Sequence, residues 1–182
     1  MSDQTRLPAP TSGSVRDLLQ NEDNKRRFRE ILGELSGAFI ASVAAYVYQS
    51  PELRECDPNS VVAAAINAAS LRLFVDKTLG YACIVGYWNT KTKRKEAQFQ
   101  AMWKGYVQLA QRTGQYKSIN AAEVHEGEVR SYNRFTSEPV FGERTGDKVI
   151  AYLANFRLLN GFEKYVYKTV DEVKAHAKEY SP

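Results

Sequence analysis

The chain has 182 residues, 43% apolar and 25% charged, which is the balance of an ordinary folded protein and makes one domain with a substantial core the default. Two cysteines, Cys56 and Cys83, cannot make a disulfide framework and read as reduced, packed thiols of a cytosolic protein. No stretch reaches the roughly 18 apolar residues of a membrane span, and the N-terminus lacks the basic start and apolar run of a signal peptide. The net charge is +4, yet Lys91 to Lys117 alone carries +6: Lys91, Lys93, Arg94, Lys95, Lys104, Arg112 and Lys117 are opposed only by Glu96. A basic segment in an otherwise slightly acidic chain points to a local polyanion site, the alternative being a solvated basic loop.

Residues 1–13, with two prolines and small polar residues, read as a flexible arm before a core over residues 14–182. Ser14 caps a short helix, Val15 to Gln20. Asn24 to Leu32 places Phe28, Ile31 and Leu32 on one helical face, and Gly33 ends or bends that helix. A helix from about Ser36 to Gln49 follows, in which Tyr46 and Tyr48 read as packing residues. Asp57 and Pro58 open another, as N-cap and first helical residue, and Val61 to Leu73 continues it with small side chains that permit close packing. Tyr81 to Trp88 and Glu96 to Ala101 read as the strands of a hairpin with a basic tip. Trp103 to Thr113 reads as a helix closed by Gly114, with Trp103, Tyr106, Val107 and Ala110 on one side.

Tyr116 to Val124 reads as a further strand, and Val129 to Phe135 as a continuation of the same sheet. Thr136 to Asp147 reads as a loop. Lys148 to Leu159 and Phe162 to Lys168 flank Asn160-Gly161, a strong hairpin signal. Thr169 and Glu172 fit a capping box that opens a last helix, to about Tyr180. Helices followed by a mainly antiparallel sheet with one inserted helix make an α+β protein.

No G-x-x-x-x-G-K-[ST] loop is present for nucleotide phosphates, and no G-x-S-x-G elbow. His125 and His176 are the only histidines and have no zinc spacing with the cysteines. Glu123, Glu126 and Glu128 cluster at a strand end and turn, the one arrangement that leaves a metal-dependent nuclease open. The positive feature is the interleaving of cations, amides and rings from Gln98 to Lys117. Single-stranded DNA needs cations for its phosphates and flat groups for its bases. Gln98, Gln100, Tyr106, Lys104, Arg112 and Lys117 offer both. The shared helical face predicts core packing for Trp103 and leaves Tyr106 open between core and ligand.

Four blocks carry a resemblance: Asp76-Lys-Thr-Leu-Gly-Tyr-Ala82, Glu96-Ala-Gln-Phe-Gln100, Trp103-Lys-Gly-Tyr-Val-Gln-Leu-Ala-Gln-Arg-Thr-Gly-Gln-Tyr-Lys117 and Ala122-Glu-Val-His-Glu-Gly-Glu128. Their order and spacing resemble the RecT family of phage and prophage recombinases. The likeness extends from about Asn24 onward and includes Asn160-Gly-Phe-Glu163. It implies a bacterial cytoplasmic protein, without catalysis or cofactor, that binds single-stranded DNA and anneals complementary strands without ATP. It further implies a ring or helical filament working beside a partner exonuclease, with DNA in a basic groove. Matched to the family block, Lys104, Arg112 and Lys117 are the expected phosphate contacts. The tip residues Lys91, Lys93, Arg94 and Lys95 are a further set, or an exposed loop. Departures are Gly86, where proline is expected before the tyrosine, and Trp103, where tyrosine is usual. Family members also usually continue beyond the last helix, so a DNA-binding or assembly module without annealing activity is the alternative.

Overall fold

The structure is a computed structural model that describes residues 13–180. The arm expected over residues 1–13 lies outside the described residues except for Gly13. The chain divides into two compact units, one ending at Leu109 and the other starting at Ala110. Helices lead and antiparallel strands follow, which is the α+β order expected from the sequence.

The first unit holds α1 (Val15–Gln20), α2 (Glu22–Leu32), α3 (Ser36–Tyr48), α4 (Pro51–Arg54), α5 (Pro58–Ser70), β1 (Ala82–Asn89), β2 (Arg94–Ala101) and the start of α6 (Trp103–Arg112). Ser14 caps α1 through a complete capping box with Asp17, and Asn21 caps α2. Asp57 caps α5 by accepting from the Ser60 N–H at 3.3 Å, with Pro58 at the first helical position. The small faces of α5 bury Val61, Val62, Ala64, Ala65, Ala68 and Ala69, so the helix approaches α1, α2 and β2 closely. Phe39 anchors the rest, with Phe28 at 5.7 Å and Phe74 at 5.4 Å between ring centroids. Burying a ring of that size contributes up to about 3 kcal/mol.

By length and hydropathy the helical run Glu22–Tyr48 would pass for a membrane span, contrary to the sequence reading. A left-handed Gly33 (φ +60) interrupts it, and Phe28, Leu32, Phe39, Ile40, Val43 and Val47 are all core, so it is a pair of core helices. The face of α3 that buries Phe39, Val43 and Val47 turns the neighbouring Tyr48 outward. Tyr46 packs against the core as expected, but Tyr48 is 79% exposed.

The second unit contains β3 (Tyr116–His125), β4 (Val129–Asn133), β5 (Glu138–Phe141), β6 (Val149–Leu158), β7 (Glu163–Thr169) and α7 (Val170–Tyr180). β3, β6 and β7 form an antiparallel sheet in the order β3-β6-β7. The segment after Gly127 does not extend this sheet, as the sequence suggested. β4 instead pairs with β5, inside the stretch expected as loop. Gly127 (φ +88) turns the chain out of β3, and its close approach to the Glu143 backbone leaves no room for a side chain. Pro139 disguised β5, because proline is tolerated only where the ladder does not need its N–H.

The β4–β5 hairpin rests on β7 through Phe141 on Tyr165 and Tyr132 on Tyr167, and the Tyr132 hydroxyl donates to the Tyr165 carbonyl at 3.1 Å. The turn at Asn160-Gly161 is present but one residue longer than a two-residue hairpin. The Leu158 N–H donates to the Phe162 carbonyl, the Gly161 N–H donates to the Leu158 carbonyl, and Gly161 takes φ +88. Thr169 and Glu172 form the expected capping box of α7.

Candidate nucleic-acid interface

In an antiparallel pair, residues directly opposite share a face. Across β1 and β2, Ala82/Ala101, Ile84/Phe99 and Gly86/Ala97 share the inner face, and Val85/Gln98 and Cys83/Gln100 the outer one. The inner face is pinned to the helices. The Ala97 N–H donates to the Ser60 hydroxyl at 2.8 Å, and the Asp57 N–H donates to the Lys95 carbonyl at 2.8 Å. A Cβ on Gly86 would stand 2.8 Å from the Cys56 sulfur, so the departure from the family pattern at this position is filled by a thiol. Gln98 and Gln100 are left exposed on the outer face, where their amides can meet a ligand. The Gln100 amide oxygen also lies 4.0 Å from the Cys83 sulfur, a weak thiol contact.

The hairpin tip is built around Glu96. Its carboxylate accepts from the Thr92 hydroxyl at 2.7 Å, the Asn89 amide at 2.8 Å and the Arg94 Nε at 3.3 Å. These donors, Thr92 first, hold its pKa down at about 2. The Asn89 side chain also accepts from the Lys91 N–H at 3.0 Å, and Lys93 takes φ +52, so the turn has a defined shape. The four tip cations therefore differ. Arg94 pairs with Glu96, and Lys95 makes a close ion pair with Glu55. Lys91 and Lys93 make no ion pair among the described residues.

α6 starts two residues after β2. The Met102 N–H donates to the Tyr81 carbonyl at 3.0 Å, and Gly105 is buried against that same carbonyl group and Leu73. With Gly105 and Leu109 forming the inner side, Trp103 and Tyr106 point away. Core packing for Trp103 is thus overturned: it is 69% exposed, and Tyr106 is 64% exposed. Lys104 is exposed too, with its ammonium 5.7 Å from the Trp103 ring centroid. Trp88, 59% exposed at the end of β1, adds another ring.

Arg112 and Lys117 belong to the second unit. Arg112 lies in the last turn of α6, where a cation favours the helix dipole, and Gly114 (φ +66) ends the helix as expected. Lys117 is exposed at a bulge: Tyr116 pairs with Leu158 and Ser118 with Arg157, which leaves Lys117 without a cross-strand partner. The candidate acidic cluster is dispersed in role. Glu128 accepts from the His125 N–H at 2.7 Å, which lowers its pKa, whereas Glu123 stands exposed on β3 opposite Tyr152. Among the described residues no group of three or more His, Cys, Asp or Glu is arranged to hold a metal ion.

The RecT family pattern matches residues 37–182. The chain belongs to the RecT family. It is 43% identical over 181 residues to the uncharacterized protein YqaK of Bacillus subtilis, covering 98% of this chain and 62% of that protein. It is also 31% identical over 136 residues to protein RecT of Escherichia coli, covering 70% of this chain and 51% of that one. The chain thus spans roughly half to three-fifths of the length of these two relatives.

The structure leaves the expected Gln98, Gln100 and Lys104 exposed, and the exposure of the rings Trp103 and Trp88 was not read from the sequence. A signal was present. Gly105 has no side chain to bury, so the inner side of α6 could be narrow and Trp103 could face outward.

Proposed function

We propose that this chain binds single-stranded DNA and anneals it to a complementary strand without ATP, metal or covalent chemistry. Membership of the RecT family over residues 37–182 carries this reading. It is supported by exposed cations, amides and rings on one continuous stretch of the first unit, and by exposed Lys117 in the second.

The physical mechanism needs little from the protein beyond placement. Lys104, Lys117, Arg112 and the tip lysines Lys91 and Lys93 neutralise phosphates and displace their counterions. Gln98, Gln100 and Tyr106 offer amides and a ring to bases without reading their identity. A second strand is drawn by the remaining positive potential, and pairing is tested by base hydrogen bonding and stacking. Correct pairing supplies the free energy, so no nucleotide is hydrolysed. The same reading has copies of the chain assemble as a ring or helical filament, beside an exonuclease that exposes the strand, in the bacterial cytosol. Free Cys56 and Cys83 are compatible with that compartment.

The test is fluorescence anisotropy of dye-labelled oligonucleotides of unrelated sequence, titrated with the chain in EDTA at several salt concentrations. Binding to every single strand, weakening steeply with salt and without cleavage, is expected. Cleavage on adding a divalent ion, or no binding at low salt, would contradict the proposal.

A further inference from the structure

Trp103 is the feature the fold leaves unexplained. Tryptophan is a large apolar side chain, highly buried on average. Here it stands at the first position of a helix with two-thirds of its surface in solvent, and Tyr106, one turn on, is exposed to nearly the same degree. Neither ring packs on another aromatic among the described residues. The backbone beneath is fixed, because the Met102 N–H is bonded to the Tyr81 carbonyl and Gly105 is seated against Tyr81 and Leu73. The Lys104 ammonium lies 5.7 Å from the centre of the Trp103 ring, within cation–π range. A flat ring on a rigid base, with a cation beside it, matches what one unpaired nucleotide presents: a flat base and its own phosphate.

We propose that Trp103 is a stacking site for an unpaired base, occupied while the strand is single and vacated when it pairs. The inference rests on the single-strand reading above and adds the state of DNA that this side chain recognises. An unpaired base can turn a whole face to the indole, and every base has such a face, so the contact tolerates all sequences. A paired base inside a duplex is covered on both faces by its neighbours and has none to offer. Trp103 therefore grips the substrate and loses its hold on the product. Lys104, which contacts phosphate, keeps its interaction in both states.

The sequence has two tryptophans, so Trp88→Phe leaves Trp103 as the sole indole reporter in the full chain. The expected result is quenching of its emission on adding oligo-dT, and recovery when oligo-dA is added to form duplex. Trp103→Ala is expected to keep its far-UV dichroism and to weaken oligo-dT binding about tenfold, with Trp103→Phe restoring most of the loss. Unchanged Trp103 emission in a sample whose anisotropy shows bound oligo-dT would overturn the inference while leaving single-strand binding intact. Quenching that persists in the duplex would overturn the vacating step. If Trp103→Ala binds DNA like the parent but changes its sedimentation, the ring serves a protein contact and the inference fails. Absence of any anisotropy change in the parent would remove the single-strand reading itself, and this inference with it.

Discussion

Charge along the basic segment is not equivalent from residue to residue. Lys95 and Arg94 are tied to Glu55 and Glu96, whereas Lys104 sits beside an indole. Lys104→Glu is expected to weaken binding to all single strands alike and to flatten the slope of log affinity against log salt by roughly 0.7 for each phosphate that is no longer neutralised. A sequence-selective loss, or an unchanged slope, would show that Lys104 does not meet phosphate. Glu96 organises the hairpin tip through Thr92, Asn89 and Arg94. Its folded pKa of about 2 lies below the ordinary value of 4.5, so its stabilisation is present above about 4.5 and is lost as pH falls toward about 2. Urea unfolding of the parent and Glu96→Gln should therefore differ at neutral pH, and the difference should shrink below about pH 4.5 and vanish near pH 2. A difference that stays constant across that range would mean that the donors around Glu96 do not hold its charge in solution.

At the scale of elements, two helical glycines carry opposite expectations. A Cβ on Gly105 would collide with the Tyr81 carbonyl and stand 3.2 Å from Leu73 Cδ1. Gly105→Ala is therefore expected to destabilise the chain by about 1–3 kcal/mol. Gly37 lies in α3 with nothing within 4 Å of such a Cβ, so Gly37→Ala is expected to stabilise by about 0.5 kcal/mol or more. Urea midpoints check both, and equal shifts of the same sign would contradict the packing of α6. Helices, caps and the two long hairpins were legible because each has a local cause: Ser14, Asp57, Gly114 and Thr169 act within a few residues of themselves. The direction of α6 was not legible, because Trp103, Tyr106, Val107 and Ala110 form an apolar stripe whose inward or outward sense depends on Gly105 meeting a distant carbonyl. β5 was missed because its four residues include Pro139 and its pairing with β4 is closed by the turn after Asn133, where the Ser137 N–H donates to the Asn133 carbonyl at 2.7 Å.

For the whole molecule, the two units differ in how they are held. The first buries phenylalanines, leucines and valines around α5, whereas in the second only Val124 and Ala151 are buried among the described apolar residues. The expected cations and amides were legible as a segment, but their division between two units was not, because nothing local to α6 marks the boundary at Leu109. The function proposed at this scale is pairing of two strands, which no single contact performs. The decisive measurement is the rate at which two dye-labelled complementary oligonucleotides gain energy transfer when the second is added to the first with this chain, in EDTA and without nucleotide. A rate well above that of the free strands is expected, with no acceleration for non-complementary pairs. An unaccelerated rate, in a sample where the first strand is shown to be bound, would contradict annealing and leave a DNA-binding module.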